Sequence, residues 1–206
     1  MGRSNVGKSS LINALTRRRL ARTSAAPGKT RLANVYRVQR GASPPLYLVD
    51  LPGYGYARGG AAAAREFEDL TAAYFGVRRS AAILLVDARH PGLASDLAAW
   101  HWLKDTVADT AVVATKIDKL ARGERIRAMR ELESVVEDSV LPVSAVTGEG
   151  LDELWTLMDR LANSRNPQPR QKRAVSSSTP PRETAPLRPA PIRVEGPTRR
   201  RSRPKR

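Results

Sequence analysis

Residues Gly2-Arg3-Ser4-Asn5-Val6-Gly7-Lys8-Ser9 fit the pattern G-x-x-x-x-G-K-[ST]. This stretch decides the fold. Its glycines let the backbone curl until successive N–H groups face phosphate oxygens, and the helix that follows adds its positive N-terminal end. A loop of this kind joins a strand to a helix. The expected cradle takes in Gly2, Arg3, Ser4, Asn5, Val6, Gly7, Lys8, Ser9 and Ser10. Lys8 is placed to reach the β- and γ-phosphates, and Ser9 to offer its hydroxyl to Mg²⁺.

An eight-residue match alone is weak. Here four further pieces follow in order. Asp50-Leu51-Pro52-Gly53 comes directly after the apolar run Leu46-Tyr47-Leu48-Val49. An Asp at a strand end can hold Mg²⁺ through water, and the Gly53 N–H can meet the γ-phosphate. Thr115-Lys116-Ile117-Asp118 follows Ala111-Val112-Val113-Ala114. The Asp118 carboxylate can accept two hydrogen bonds from N1–H and the 2-amino group of guanine, a donor pair that adenine lacks. The stem of Lys116 can cover the base plane. Ser144-Ala145 closes the run Val140-Leu141-Pro142-Val143 and can present a backbone N–H to guanine O6. Thr30, within Pro27-Gly28-Lys29-Thr30, is the candidate switch threonine that closes on Mg²⁺ when the γ-phosphate is present. The set reads as a GTP site, with Ser9, Thr30 and Asp50 toward the metal and Lys8, Thr30 and Gly53 toward the reacting phosphate.

The chain of 206 residues has no cysteine, which excludes disulfides and thiolate metal sites. No apolar run reaches the ~18 residues needed to cross a bilayer. No secretory leader is seen, because Met1 leads straight into the loop, so the cytoplasm is the expected compartment, with no membrane partner. Charge is uneven. Residues 164–206 hold 13 Lys/Arg against 2 Glu, a net of +11, and the whole chain is +16, which leaves about +5 for residues 1–163. The C-terminal stretch is also rich in proline, contains Ser176-Ser177-Ser178, and has no aromatic residue. It reads as a disordered basic tail that meets RNA phosphates nonspecifically or simply stays solvated. The expected domains are therefore 1–163 and 164–206.

Periodicity places helices at 8–17, 66–77, 93–107, 124–136 and 151–161, and a strand at 35–38 with a turn at 41–45. The stretch 54–64 is Gly- and Ala-rich and reads as mobile. Ala82-Ile83-Leu84-Leu85-Val86-Asp87 is a continuous apolar run, as buried parallel strands are. The alternation implies a mainly parallel α/β sheet with helices on both faces. Trp100, Trp102 and Trp155 fall in helical stretches and read as packing or partner-surface residues rather than a base-stacking platform; His90 and His101 lack a second ligand pattern and read as ordinary surface or loop histidines. Arg17-Arg18-Arg19 and Arg22 read equally as a solvated helix end or a phosphate contact.

These motifs, with Ser10-Leu11-Ile12-Asn13 continuing the loop, Asp50-Leu51-Pro52-Gly53-Tyr54-Gly55-Tyr56-Ala57, and Val86-Asp87-Ala88-Arg89-His90, resemble EngB-type bacterial GTPases over roughly residues 2–162, the Asp50–Tyr56 stretch being the most specific. The resemblance implies a P-loop GTPase (Ras-like) fold, GTP as substrate and Mg²⁺ as cofactor. It implies a role in assembling the large ribosomal subunit, with precursor rRNA and ribosomal proteins as partners and a secondary link to septum formation. A monomer is expected. The family carries a first strand before the phosphate loop, which is missing from the written chain, and the basic tail lies outside the family core.

In many switch GTPases a Gln follows the D-x-x-G glycine and orients the attacking water. Tyr54 stands there, so unassisted turnover is expected to be slow. Related GTPases with Asn at the position of Asn5 use it to help hold K⁺ beside the phosphates; the alternative is that Asn5 only stabilises the loop turn. The rival function is an RNA-binding assembly protein with an impaired nucleotide site. A GTPase module of RNA modification or iron transport ranks lower, for want of a modification domain or membrane span.

Overall fold

The computed structural model describes residues 1–21, 33–51, 53–54, 75 and 80–163, and the backbone of 192–195. Helix α1 spans Lys8–Thr16, strand β1 Asn34–Arg40, β2 Leu46–Asp50, β3 Ala82–Asp87, helix α2 Ala94–Thr106, β4 Thr110–Thr115, helix α3 Arg122–Val136, β5 Val140–Pro142, helix α4 Leu151–Asn163 and β6 Ile192–Glu195. A short 3₁₀ turn, Ile117–Lys119, follows β4. The helix expected at 66–77 lies outside the described residues, Phe75 excepted.

Parallel strands β3, β4 and β5 lie side by side in that order. Four of the six residues of β4 are buried, and all but Ile83 of β3, as the unbroken apolar runs require. Each face of this sheet carries its own core. Trp100 and Leu103 of α2 and Leu132 and Val136 of α3 pack on Leu84, Val86, Val112 and Ala114. Leu11 and Leu15 of α1 and Leu154, Trp155 and Met158 of α4 pack on Leu85 and Val113. Alternate residues of a strand face opposite sides, so neighbouring residues of one run feed both cores.

Trp100 and Trp155 are buried, and the Trp100 indole N–H donates to the Val136 carbonyl at 3.0 Å. Trp102 stacks edge-on against Phe75. The tryptophans thus pack as expected from their helical setting, and both histidines are exposed.

The α/β architecture is as expected, but the strands fall into two three-stranded sheets. The second has the order β2-β1-β6 and is antiparallel, with β1 and β2 in register from Asn34↔Asp50 to Val38↔Leu46. Residues 1–3 run alongside β3 and Tyr54. The Leu85 N–H donates to the Met1 carbonyl at 2.8 Å, Gly2 bridges to Leu85, and Arg3 bridges to Tyr54. These are isolated bridges rather than a full strand, which is why the sheets stay separate.

Within the stretch 164–206, read from sequence as wholly disordered, Ile192–Glu195 pairs antiparallel with β1, from Arg37↔Glu195 to Arg40↔Ile192. The reading is corrected for these four residues. Ile-Arg-Val-Glu alternates apolar and polar with two β-branched residues, a strand pattern that low overall hydrophobicity hid. β1 offers an edge that such a segment can extend.

Candidate nucleotide-binding site

The site forms where β3, β4 and β5 end. In open α/β sheets the carboxyl ends of the strands make the crevice in which ligands bind. The phosphate loop lies there because Thr115, the last residue of β4, ties it down. Its hydroxyl is 2.6 Å from the Val6 carbonyl and 3.0 Å from the Val86 carbonyl. Val6 is buried beneath the loop.

Two residues of the loop have left-handed backbone: Asn5 at φ 63° and Gly7 at φ 107°. Glycine takes this conformation freely, and asparagine is among the few others that do so readily. Asn5 therefore has a conformational role whatever its side chain binds. Gly7 leads into α1, whose first turn carries Lys8, Ser9 and Ser10. At the other end of α1, Asn13 accepts the N–H groups of Leu20 and Ala21 on Oδ1, each at 2.8 Å, and donates to the Ala21 carbonyl at 2.8 Å. That side chain ties residues 20 and 21 back to α1. Sequence reading gave Asn13 no role in the site, because its partners Leu20 and Ala21 lie beyond the helix.

Lys8 turns back on its own loop. Its Nζ donates to the Gly2 and Arg3 carbonyls, each at 3.0 Å. Burial pushes the ammonium below its ordinary value, and nearby Asp50 opposes that shift. Asp50, the last residue of β2, is 5% exposed. Burial raises its carboxyl, with Lys8 pulling the other way. Its Oδ1 is buried with no hydrogen-bond partner among the described residues. A buried carboxylate oxygen left open beside a lysine is the kind of donor that a hard divalent cation takes. Leu51 is buried behind it.

Gly53 packs on the loop so closely that a Cβ built on it sits 2.8 Å from Lys8 Nζ and 2.8 Å from Ser4 N. The D-x-x-G turn and the phosphate loop are therefore in contact. Tyr54, the residue that follows, turns its ring away. Its hydroxyl donates to Asp96 Oδ1 at 2.9 Å.

The two loops expected from sequence to read the base lie together. Asp118, in the 3₁₀ turn, accepts from the Ser144 hydroxyl at 2.7 Å. This bond, more than any other influence, holds its carboxyl below the usual carboxylate range. Ser144 is fully buried, and its Oγ also accepts the N–H groups of Val146 at 3.2 Å and Thr147 at 3.1 Å. Val143 is buried next to it, and Ala145 packs at the edge of the same core. Ile117 is buried, which seats the turn, while Lys116 adopts φ 60°. Lys116 Nζ donates to the Asn5 carbonyl at 2.6 Å and to Asp87 Oδ2 at 2.9 Å. The 115–118 segment and the loop at residues 2–9 are thereby joined.

Asp87 was quoted from the sequence only as part of a family stretch and was given no role in the site. It ends β3 at 3% exposure and is gripped by Arg89 through Nε at 2.9 Å and a terminal nitrogen at 2.8 Å. Burial works to raise its carboxyl, but the bonds from Arg89 and Lys116 outweigh it and hold the group well below the ordinary range. The signal was an acid at the end of an apolar run with Arg two residues on.

The structure thus brings together the phosphate loop, Asp50, Gly53, the segment 115–118 and the segment 143–145. Pro27, Gly28, Lys29, Thr30 and Pro52 lie outside the described residues. No group of three or more His, Cys, Asp or Glu residues gathers as a metal cluster among the described residues.

A phosphate-loop motif opening a helix, a D-x-x-G turn against it and the Thr115–Asp118 segment at the end of a parallel strand together define a P-loop GTPase. Residues 1–116 match MMR_HSR1, the 50S ribosome-binding GTPase family. A "Probable GTP-binding protein EngB" from Lacticaseibacillus casei is 40% identical over 169 residues, covering 79% of this chain and 83% of the relative. The chain belongs to the EngB family of GTPases. A crystal structure of a probable GTP-binding protein engB superposes with TM-score 0.57 at 22% identity, covering 80% of this chain and 97% of the other. Era in complex with MgGDPNP and nucleotides 1506–1542 of 16S ribosomal RNA superposes with TM-score 0.64 at 21% identity, covering 78% and 54%. At these identities the two structures speak for the fold.

Proposed function

We propose that this chain is a GTP-driven switch that assists assembly of the large ribosomal subunit in the cytoplasm, with any effect on septum formation arising through ribosome supply. One observation carries the nucleotide reading most directly: Lys116 links the loop carbonyl of Asn5 to the turn that presents Asp118, itself held by Ser144. Such a bridge fixes the distance between a phosphate cradle and a guanine reader before any ligand arrives, which lowers the ordering cost of binding.

In this reading the N–H groups from Gly2 to Ser10 cradle the phosphates. Lys8 exchanges its two loop carbonyls for β- and γ-phosphate oxygens. Asp118 accepts from guanine N1–H and the 2-amino group, the stem of Lys116 lies over the base, and Ala145 donates its N–H to O6. Ser9, Thr30 and Asp50 hold Mg²⁺, which when bound neutralises charge on the β- and γ-oxygens. The open Asp50 oxygen supports that assignment. Gly53 offers its N–H to the γ-phosphate. The Tyr54 hydroxyl is committed to Asp96, so it does not orient water, and hydrolysis by the isolated chain is slow. Asn5 helps to hold K⁺ beside the phosphates. Replacing K⁺ by Na⁺ at constant ionic strength then lowers turnover, and equal rates in both salts remove Asn5 from that role.

Large-subunit precursor rRNA and ribosomal proteins are the proposed partners. The description of the matching family, 50S ribosome-binding GTPase, supports this choice. Sedimentation with isolated large subunits tests it. Retention with a non-hydrolysable GTP analogue and release with GDP is expected; equal retention with either nucleotide overturns the switch.

A further inference from the structure

Beneath the phosphate loop lies a buried polar cluster that nucleotide binding does not use. Asp96 sits in the first turn of α2 and is 4% exposed. An acid there favours the helix dipole, but that needs no burial and no partners. Asp96 has both. The Tyr54 hydroxyl donates to its Oδ1 at 2.9 Å, and Arg3 Nε lies 3.6 Å from the same oxygen. Its Oδ2 and the Arg3 Nε are buried without a hydrogen bond among the described residues. Holding a carboxylate here is costly, so packing alone does not explain it.

What the cluster joins is specific. Arg3 and Ser4 are in the phosphate loop, and Tyr54 directly follows Gly53. The Ser4 N–H donates to the Tyr54 carbonyl at 3.3 Å, and Arg3 bridges to Tyr54. Tyr54 thus holds the loop with its backbone and α2 with its ring. The ring also packs against the core that contains Trp100 and Leu103 of α2.

We propose that Tyr54 and Asp96 are positioning residues that clamp the D-x-x-G turn against the phosphate loop and couple its place to helix α2. The inference rests on the nucleotide site proposed above. With the clamp closed, Gly53 stands against Lys8 and Ser4 before the nucleotide arrives, ready for a γ-phosphate. GDP has no group at that point and gains nothing from the clamp. A motion of Gly53 on hydrolysis must either break the Tyr54–Asp96 bond or carry α2 with it.

The test is the ratio of affinities for GMPPNP and GDP in the wild type, Tyr54→Phe, Asp96→Asn and the double variant. Phe keeps the ring packing and removes only the hydroxyl. Expected is an approximately tenfold loss of GMPPNP affinity in Tyr54→Phe, as for one hydrogen bond to a charged group, with GDP affinity held within about twofold. Asp96→Asn shifts the ratio in the same direction, and the double variant is no worse than the more severe single one. An unchanged ratio overturns the clamp, as does an equal loss for both nucleotides, which marks a merely structural role. If Asp96→Asn fails to fold, Tyr54→Phe decides alone. A wild type that binds neither nucleotide overturns the site reading itself, and the clamp with it.

Discussion

Lys116 donates through Nζ to Asp87 Oδ2 at 2.9 Å, and so joins the C-terminal ends of β3 and β4 by a side-chain bond as well as by their ladder. Arg89 grips the same carboxylate from the other side. The carboxyl is held below its ordinary value, so its ionised form favours the folded state. A depressed folded value means that this contribution is present above the unfolded carboxylate range, about pH 4, and is lost as pH falls toward the folded value. Asp87→Asn should cost about 1–3 kcal/mol at pH 7 by unpairing two cations. The gap between wild type and variant should narrow as pH drops below about 4. Urea melts from pH 3 to 7 check both the size and the slope; a gap that widens in acid contradicts the assignment.

Lys8 makes two neutral-acceptor bonds to its own loop at 3.0 Å. On phosphate binding it exchanges them for charge-assisted bonds, worth roughly 1.5–3 kcal/mol each. Lys8→Ala should therefore weaken GTP and GDP binding at least tenfold, and should lower stability as well, because it removes the cation beside the buried Asp50 carboxylate. Equilibrium titration beside a thermal melt separates the two effects. Wild-type affinity in the variant rules out the loop assignment.

Beyond β6 the chain carries Arg199, Arg200, Arg201, Arg203, Lys205 and Arg206. Replacing these six by Ser spares the strand that pairs with β1. RNA affinity should fall, and the slope of log K against log salt should shrink by about 0.7 for each phosphate contact to single-stranded RNA that is lost. GTP affinity should not move. Filter binding across a salt series measures the slopes, and identical slopes mean that the tail is merely solvated.

Features legible in the sequence were those carried by short contiguous patterns. The acid at Asp50, the turn at 115–118 and Ser144-Ala145 each sit at the end of an apolar run, so strand and site were read together. Helix positions followed from stripes such as Leu11 with Leu15 and Leu154 with Met158. Partners distant in the chain were not legible. Nothing near Asp87 announces Lys116, and nothing near Tyr54 announces Asp96, because side-chain pairing across strands and helices depends on tertiary packing. Lys8 was read only in its liganded role, toward phosphate, and its fold-back onto the Gly2 and Arg3 carbonyls follows from a loop curvature that a pattern does not encode. β6 was missed because four alternating residues were averaged into a Pro- and Arg-rich background.

Guanine recognition by Asp118 is the central claim, and nucleotide exchange at that residue tests it most directly. The Asp118→Asn side chain presents a donor where guanine also donates, but it suits the extra carbonyl of xanthine. In equilibrium titrations the wild type should bind GTP far more tightly than ATP or XTP. Asp118→Asn should lose at least tenfold in GTP affinity, the loss of one charge-assisted bond or more, and gain XTP binding. Unchanged GTP affinity in the variant, or equal affinity of the wild type for ATP and GTP, contradicts the account.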